Sequence, residues 1–591
     1  MSTTVHGRVL SVETPEHARL DFPLADLGSR ALAITADFAV QIAGGVLIAV
    51  VLTLLLGEWG APGVWAGLGE AVFIVATFVI YVLYFFLFEF FWDGRTPGKR
   101  LMGLRVIHVG GEPLSLSGAA LRSVIRVVDL LPGGLVGAVS IMATKRSQRV
   151  GDIAARTLVV RDGGWGEVPW KDVPSVPAMG RPILEKARFR LLSDYMDRRA
   201  SLGSADRDRV GGAVWEAVRG QVEAAGWRGL RSSGAPRDAD SLLTRLFEDE
   251  GGRQAARLRG WRRQAANLAR AERGNWEAYR GLLDASSGRG LTRLGQQDLR
   301  RFGALFRQLV ADLERARTYG APPAVIHSLG KLVAAGHNRL YRTSAQSLRS
   351  VRGWLASGFP QAVRARWRLV VLAGAMLVLP AIGSYLAVRA DPVLGRVLAQ
   401  PGIMHRAETT ETGNPDAAYI DVDEADMPLL SSSVTTNNLR VSFFAAAAGI
   451  FLGVGAAYVL AFNGVLLGAV FGVYQNTDVL PVILAFVSPH GPIELTAICL
   501  AGAAGMSLGV ALLAPGRRSR RQALAEQGIE ALSLLGGACV MLLVAGAIEG
   551  FISPSAAVPA SLKFVFGGLT LLFMVAYFGL AGRRGVPGTG T

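Results

Sequence analysis

The chain has 591 residues, 51% of them hydrophobic and 18% charged, with a formal net charge of +16. That length exceeds one compact core and implies three to five folding units at roughly 100–200 residues each. A mean hydropathy of +0.34 beside so much charge requires apolar and charged stretches to be segregated, which excludes both a uniform soluble enzyme and a bare bundle of spans.

Residues 1–28 contain no apolar stretch, so no cleavable secretion signal is expected, 1–24 read as a cytoplasmic tail, and the first span itself directs insertion. The runs 31–56 and 67–91 are each long enough to cross a bilayer at about 1.5 Å per residue. Their connector has no Lys or Arg, whereas Arg95, Lys99, Arg100 and Arg105 follow the second run. The pair therefore forms an in-out-in hairpin. In 121–144, Arg122, Arg126 and Asp129 occupy the first half and LPGG breaks the centre. This stretch is predicted as an interfacial helix over 112–130 followed by a re-entrant or tilted piece over 132–144, shielded by protein.

A linker over 163–187 leads to a basic helical region over 188–272 and a further helical region over 273–368. Apolar positions recur there at spacings of three and four, best seen in Leu299, Phe302, Leu305, Phe306, Leu309 and Leu313. Four or five helices fit residues 181–356, with breaks at GSADR, GLRSSGAPRD, SSGRGL and GAPP. Basic residues outnumber acidic ones two to one over 181–368, which places this part in the cytoplasm. Trp354, Phe359 and Trp367 among arginines suit a helix in the headgroup layer.

A second membrane group occupies 369–580. Its first run, 369–388, leaves the cytoplasm and delivers the chain to an outside loop, 389–438, that is acidic between Ala407 and Met427. Spans follow at 439–461, 464–487, 493–514, 531–551 and 562–580, and the arginines of 517–521 and the tail 581–591 mark cytoplasmic ends. Gln475 to Asp478 interrupt the second of these spans, which reads as two half-helices after a turn at Asn463-Gly464. Broken helices line substrate sites in transporters, and a packing kink explains the same letters. Small residues recur through these spans and allow close crossing in a bundle or homo-oligomer. The two cysteines, Cys499 and Cys539, lie inside the apolar runs, so neither a disulfide framework nor a cysteine-rich metal site is expected.

Charges inside spans are costly, from about 2.5 kcal/mol at the centre, so retained ones are candidate sites. Arg30 and Asp37 lie two turns apart on the first span, and Asp152 stands in RVGDIAARTLVVRD. They form either an ion pair pinning the span to the end of its own domain or a site for a transported ion. With WDGRTPGKRLMGLRVI over 92–107, these residues resemble the RDD family of membrane proteins across about residues 25–162. The resemblance implies a small membrane domain, sometimes associated with transport. Thr96, Gly98, Lys99 and Arg100 form the family's basic loop, which also suits contact with lipid phosphates and lacks the glycine spacing of a P-loop.

His490 and Glu494, four apart in SPHGPIEL, are joined by Glu549 in AIEGFISP, and Asn463 adds a further intramembrane polar group. Two carboxylates and an imidazole near the outer leaflet suit a metal, a proton relay or a polar network joining helices. His327 and His337 have no such company. The segments NNLRVSFFAAAAGIFLGVGAAYVLAFNGVLLGAVFG, HGPIEL and IEGFISP, with Trp276 and LVAAGHNRLY upstream, resemble the stage II sporulation protein M family from about Arg273 to Leu580. In its namesake setting that family is implied to work with peptidoglycan-cleaving partners.

The expectation is an all-α polytopic integral membrane protein of the bacterial inner membrane. It has about eight transmembrane helices, a re-entrant or interfacial piece, a helical cytoplasmic domain and both termini inside. It is read as a non-enzymatic scaffold coupling cytoplasmic partners to envelope remodelling, with a transporter or channel as the alternative and an intramembrane metal hydrolase third. No catalytic residue, metal or cofactor is assigned. Expected partners are the bilayer with its anionic headgroups, worth about 1 kcal/mol per well-placed base, and other proteins. Nucleic acid is excluded by the lack of a recognition module.

Overall fold

The computed structural model describes residues 3–6, 9–13, 19–57, 64–131, 133–161, 183–199, 202–227, 238–257, 259–286, 291, 294–321, 323–340, 348–399, 403–405, 407, 427–555 and 557–583. The acidic part of the 389–438 loop, most of the 163–187 linker, the breaks over 228–237 and 287–290 and the tail beyond Arg583 lie outside the described residues. The chain forms two compact units, one of Met1–Val12, Asp21–Gly164 and Tyr341–Thr591, the other of Glu13–Leu20 and Trp165–Leu340.

Short strands β1 (Thr3–His6), β2 (Val9–Glu13) and β3 (Arg19–Pro23) form a sheet in that order, where a tail was expected. Helix α1 (Leu27–Gly57) starts where the Asp26 carboxylate accepts the Ser29 N–H at 2.7 Å, satisfying one of the orphan donors of a helix start. Its Leu32, Ile42, Val46, Leu47 and Leu54 are exposed, as expected of a surface whose partner is lipid. The returning span is α2 (Val64–Phe78), one π-helical turn (Val79–Leu83) and α3 (Tyr84–Phe91). The turn leaves the Ile80 carbonyl to accept from Gln41 Nε2 at 2.6 Å, so the polar groups of the two spans satisfy each other.

After α4 (Pro97–Leu101), strand β4 (Leu104–His108) pairs antiparallel with β5 (Thr157–Arg161), Leu104 opposite Arg161. Between them lie α5 (Leu116–Asp129), α6 (Leu135–Ala143) and α7 (Val150–Ala154). At about 1.5 Å per residue neither α5 nor α6 spans a bilayer. Residues 122, 126 and 129 share one face of α5 and all three are buried.

The second unit holds six helices among the described residues: α8 (Lys186–Arg198), α9 (Ser204–Ala224), α10 (Ala239–Arg257), α11 (Arg259–Ala285), α12 (Gln296–Thr318) and α13 (Pro323–Leu340). Four or five were expected. Leu192, Val218, Leu243 and Leu246 centre one cluster. On the predicted stripe of α12, Phe302, Phe306, Leu309 and Leu313 are buried, while Leu299 is exposed at 43% because it lies in the first turn, beyond the packed face.

The remainder of the first unit runs α14 (Leu348–Gly353), a π-helical turn (Trp354–Gly358), α15 (Phe359–Ala365), α16 (Trp367–Ala390), α17 (Pro392–Leu398), α18 (Met427–Ala448), α19 (Val454–Asn476), α20 (Leu480–Val487), α21 (Gly491–Leu513), α22 (Arg520–Phe551) and α23 (Ala560–Leu580). Among the described residues, seven helical stretches are long and apolar enough to cross a membrane: Leu27–Leu54, Leu68–Phe91, Trp367–Ala390, Val454–Asn476, Gly491–Leu513, Arg520–Phe551 and Ala560–Leu580. Helix α18 is too polar in its first half (SSSVTTNN) to qualify by hydropathy. It nevertheless packs along α22 and α21, with Ser431 against Gly550, Thr435 against Gly546 and Ala445 against Gly505.

One predicted boundary needs correction. Asn463-Gly464 is no turn but the middle of α19. The reversal falls earlier, at 449–453, where Leu452 and Gly453 take φ of 55° and 83°, a left-handed conformation that favours glycine. The predicted interruption after Gln475 does separate α19 from the short α20, with Asp478 at φ 60°.

Close approach organises the bundle. A Cβ on Gly464 or Gly468 of α19 would lie 2.1 or 2.0 Å from the Leu377 or Ala381 carbonyl oxygen of α16. Such backbone contact is what small-residue faces permit. The regions before and after the second unit share one core, since Leu121, Ile125 and Val128 of α5 cluster with Leu500, Leu508, Leu534 and Phe359. Within this core, Gly528 of α22 leaves room for Leu121.

Candidate functional site

The bundle carries polar groups at opposite ends. At the basic end, Arg30 on the first turn of α1 donates to Asp152 Oδ2 at 2.5 Å and to the Ser147 carbonyl at 2.5 Å. Arg122 bridges Asp152 and Glu89, its Nε lying 2.9 Å from Glu89 Oε2. Arg126 reaches Glu89 Oε1 at 2.8 Å and stacks 3.5 Å from the Phe85 ring centroid. Lys99 also pairs with Glu89, and Arg149 lies 3.2 Å from Asp152 and 3.6 Å from Asp129. Burial alone would raise the Asp152 carboxyl, but the guanidinium groups of Arg122, Arg30 and Arg149 outweigh it and hold the group well below the usual carboxylate range. Asp129 is pushed up by burial against the pull of Arg149. Desolvation offsets most of the attraction in such a cluster, so its main effect is to fix which elements meet.

Arg30 and Asp152 thus join the start of α1 to α7. Asp37 does not join them. It accepts from Tyr84 Oη at 2.9 Å, Thr96 Oγ1 at 2.6 Å and the Gly98 N–H at 2.7 Å. Gly98 is required there, since a Cβ would lie 2.0 Å from the Ala33 carbonyl oxygen. The basic loop therefore corrects the lipid-contact expectation: Thr96 and Gly98 hold Asp37, Lys99 turns inward to Glu89, and only Arg100 is exposed, over Trp92. Glu89, the hub, carries little signal in the sequence, because one acid at the end of an aromatic run (YFFLFEFFW) looks like an interfacial residue.

At the opposite end, α21 begins with His490 as its N-cap and Pro492 in its first turn, which sets Glu494 one turn along the same face. Glu549 lies near the end of α22. His490 Nε2 stands 3.8 Å from Glu494 Oε2 and 4.0 Å from Glu549 Oε1, and one ligand atom from each residue lies within 4.8 Å of the others. Ser553 Oγ sits 2.9 Å from His490 Nδ1, and the Phe486 ring meets the imidazole edge-on at 5.5 Å. Asn438 of α18 donates to Glu494 Oε1 at 2.7 Å, and Lys563 of α23 donates to the Ser553 carbonyl at 2.8 Å. Two ionised carboxylates about 5 Å apart repel by roughly 3 kcal/mol at an effective dielectric constant near 20, so the pair favours a proton or a cation between them.

Asn463, grouped with these residues on the sequence, is not among them. Its side chain donates to the Val459 carbonyl of its own helix at 2.8 Å, and Asn438 occupies the corresponding role. Among the described residues, Asp37 and the His490 group share no hydrogen-bond partner. His327 is exposed and His337 buried, and neither belongs to a metal-type cluster among the described residues. Between α2 and α18 lies a groove of about 320 Å³ whose polar lining is Thr77, Ser433, Thr436, Asn437 and Arg440.

Three protein families match parts of the chain: Stage II sporulation protein M over 367–554, the RDD family over 24–156, and a domain of unknown function over 266–342. The basic-end network falls inside the RDD match, and His490, Glu494 and Glu549 inside the sporulation-protein match. The upstream helices from Arg273, read as part of the latter, match the separate domain of unknown function instead. An uncharacterized protein of Methanocaldococcus jannaschii is 30% identical over 129 residues, covering 21% of this chain and 71% of that protein. No solved structure matches.

Proposed function

We propose, for a chain that belongs to the RDD family through residues 24–156 and to the stage II sporulation protein M family through residues 367–554, a non-enzymatic scaffold of the bacterial inner membrane. It couples a cytoplasmic partner to remodelling of the cell envelope. The observation that carries this reading is the shared core of the two membrane regions, in which α5 packs against α18 and α22. A block merged in this way transmits position rather than opening and closing. The α16–α19 and α18–α21 crossings at backbone distance support the same view.

By the positive-inside rule, the end with Arg100, Arg366 and Arg517 to Arg521 faces the cytoplasm, as do the termini and the arginine-rich helices of 183–340. Those helices supply the docking surface for partners and for anionic headgroups. The His490 end then faces outward. Affinity purification of the full chain from native membranes tests the reading. Partners should co-elute, and deletion of 183–340 should lose the cytoplasmic ones while the chain still inserts. An unchanged partner set after that deletion refutes it. The groove bearing Arg440 favours a second reading, lateral movement of an amphiphile or ion, which predicts transport by the purified chain in liposomes.

A further inference from the structure

The His490 group has a geometry that hydrogen bonding leaves unexplained. Three ionisable side chains converge on one point, yet among the described residues no hydrogen bond links Glu494 to Glu549 or either carboxylate to His490. The 3.8 and 4.0 Å separations exceed hydrogen-bond reach. They fall at the upper end of the roughly 3–4 Å between ligand atoms that share an ion about 2.0–2.2 Å away. A proton shared by the two carboxylates would instead draw their oxygens to about 2.5–2.7 Å.

A second observation points the same way. The Glu549 side chain is only 9% exposed, and its Oε2 is buried without a hydrogen-bond partner, an arrangement that wastes a buried carboxylate oxygen unless something else binds there. The surroundings also match what ligands need. Ser553 engages His490 Nδ1 at 2.9 Å, which directs Nε2 to the carboxylates, and Asn438 orients Glu494 at 2.7 Å. Glu494, 18% exposed, leaves one side of the group open for a further ligand such as water.

We infer that His490, Glu494 and Glu549 bind one divalent transition-metal cation of the zinc class. One imidazole with two carboxylates suits zinc, manganese or iron(II) and offers no thiolate for softer ions. The ion ties α21 to α22 directly and α18 through Asn438, and it neutralises the two carboxylates. It acts as a structural clamp at that end of the bundle, independent of the scaffold role proposed above.

The test uses the full chain, purified in detergent, stripped with a chelator and reloaded with Zn²⁺ or Co²⁺. One equivalent of zinc per chain and visible cobalt ligand-field bands are expected. Glu549→Gln, which keeps shape and volume, should weaken binding on the order of 100-fold or more, and His490→Ala should do the same. Ser553→Ala removes only the hydrogen bond to Nδ1 and should weaken binding about 10–100-fold with stoichiometry kept. If His490→Ala does not fold, Glu549→Gln and Ser553→Ala still decide. A reloaded wild-type chain without the ion, or zinc affinity unchanged in Glu549→Gln, overturns the inference.

Discussion

Replacing Glu89 by Gln removes one charge where α3, α4 and α5 meet and leaves the packing alone. The fully buried carboxylate takes Lys99, Arg122 Nε at 2.9 Å and Arg126 at 2.8 Å. Arg122 retains Asp152 and Arg126 retains the Phe85 ring. Lys99 has no second carboxylate among the ion pairs of the described residues. Removing one partner of a buried pair costs about 3–5 kcal/mol, because the other charge stays desolvated and uncompensated. Against a usual stability of about 5–15 kcal/mol, that is a large share. Thermal denaturation of the detergent-solubilised chain, followed by helical signal and monodispersity, reads the loss. Glu112→Gln is the control, since its contact with His108 at 2.9 Å is about a third exposed on both sides and is worth at most about 1 kcal/mol. Adding Lys99→Met to Glu89→Gln should restore part of the loss, because no lone ammonium remains. Equal effects of Glu89→Gln and Glu112→Gln, or strict additivity in the double variant, refute the reasoning.

The other predictions use the same assay unless stated. A Cβ on Gly505 would lie 2.4 Å from the Ala445 carbonyl oxygen, so Gly505→Ala should destabilise by about 1–3 kcal/mol. Gly568→Ala meets open space and should change stability by no more than about 0.5 kcal/mol. Asp26 is held down to about 2 by hydrogen bonds from Ser29, with help from Arg161. A carboxyl depressed in the folded state contributes above its unfolded value of about 4 and loses that contribution as pH falls through about 2. Hydrogen exchange at the first turn of α1 should therefore rise over that window. Asp26→Asn should keep the cap at neutral pH and abolish the step, whereas Asp26→Ala should cost about 1 kcal/mol at neutral pH. Asn463→Ala loses only a bond to its own helix and should leave stability within about 0.5 kcal/mol and liposome transport, where present, unchanged.

The spans, the helical nature of 183–340 and the ambiguous 121–144 stretch were legible because lipid crossing and helix amphipathicity depend on residues near one another in sequence. Helix α18 was half missed for the same reason. Its SSSVTTNN run is too polar to read as a span, and only its packing against α2, α21 and α22 places it in the bundle. The turn expected at Asn463-Gly464 shows the converse error. Asn-Gly is a turn signal in water, but here the glycine serves contact with Leu377, and the reversal goes to Leu452-Gly453. The strands β1 to β5 are four or five residues each, too short to assert a pattern beside apolar runs.

Local composition determined that this is a polytopic all-α membrane protein, which ionisable residues its apolar stretches carry, and which segments resemble known families. Partner choice among those charges was decided only in three dimensions. Arg30 meets Asp152 across more than a hundred residues while Asp37, seven away, turns to Thr96 and Gly98. Glu549 joins His490 and Glu494, and Asn463 does not. The physical reason is that a buried charge must be matched by whatever the packed backbone brings within reach, and glycine-mediated crossings such as Gly449 against Gly505 set that reach.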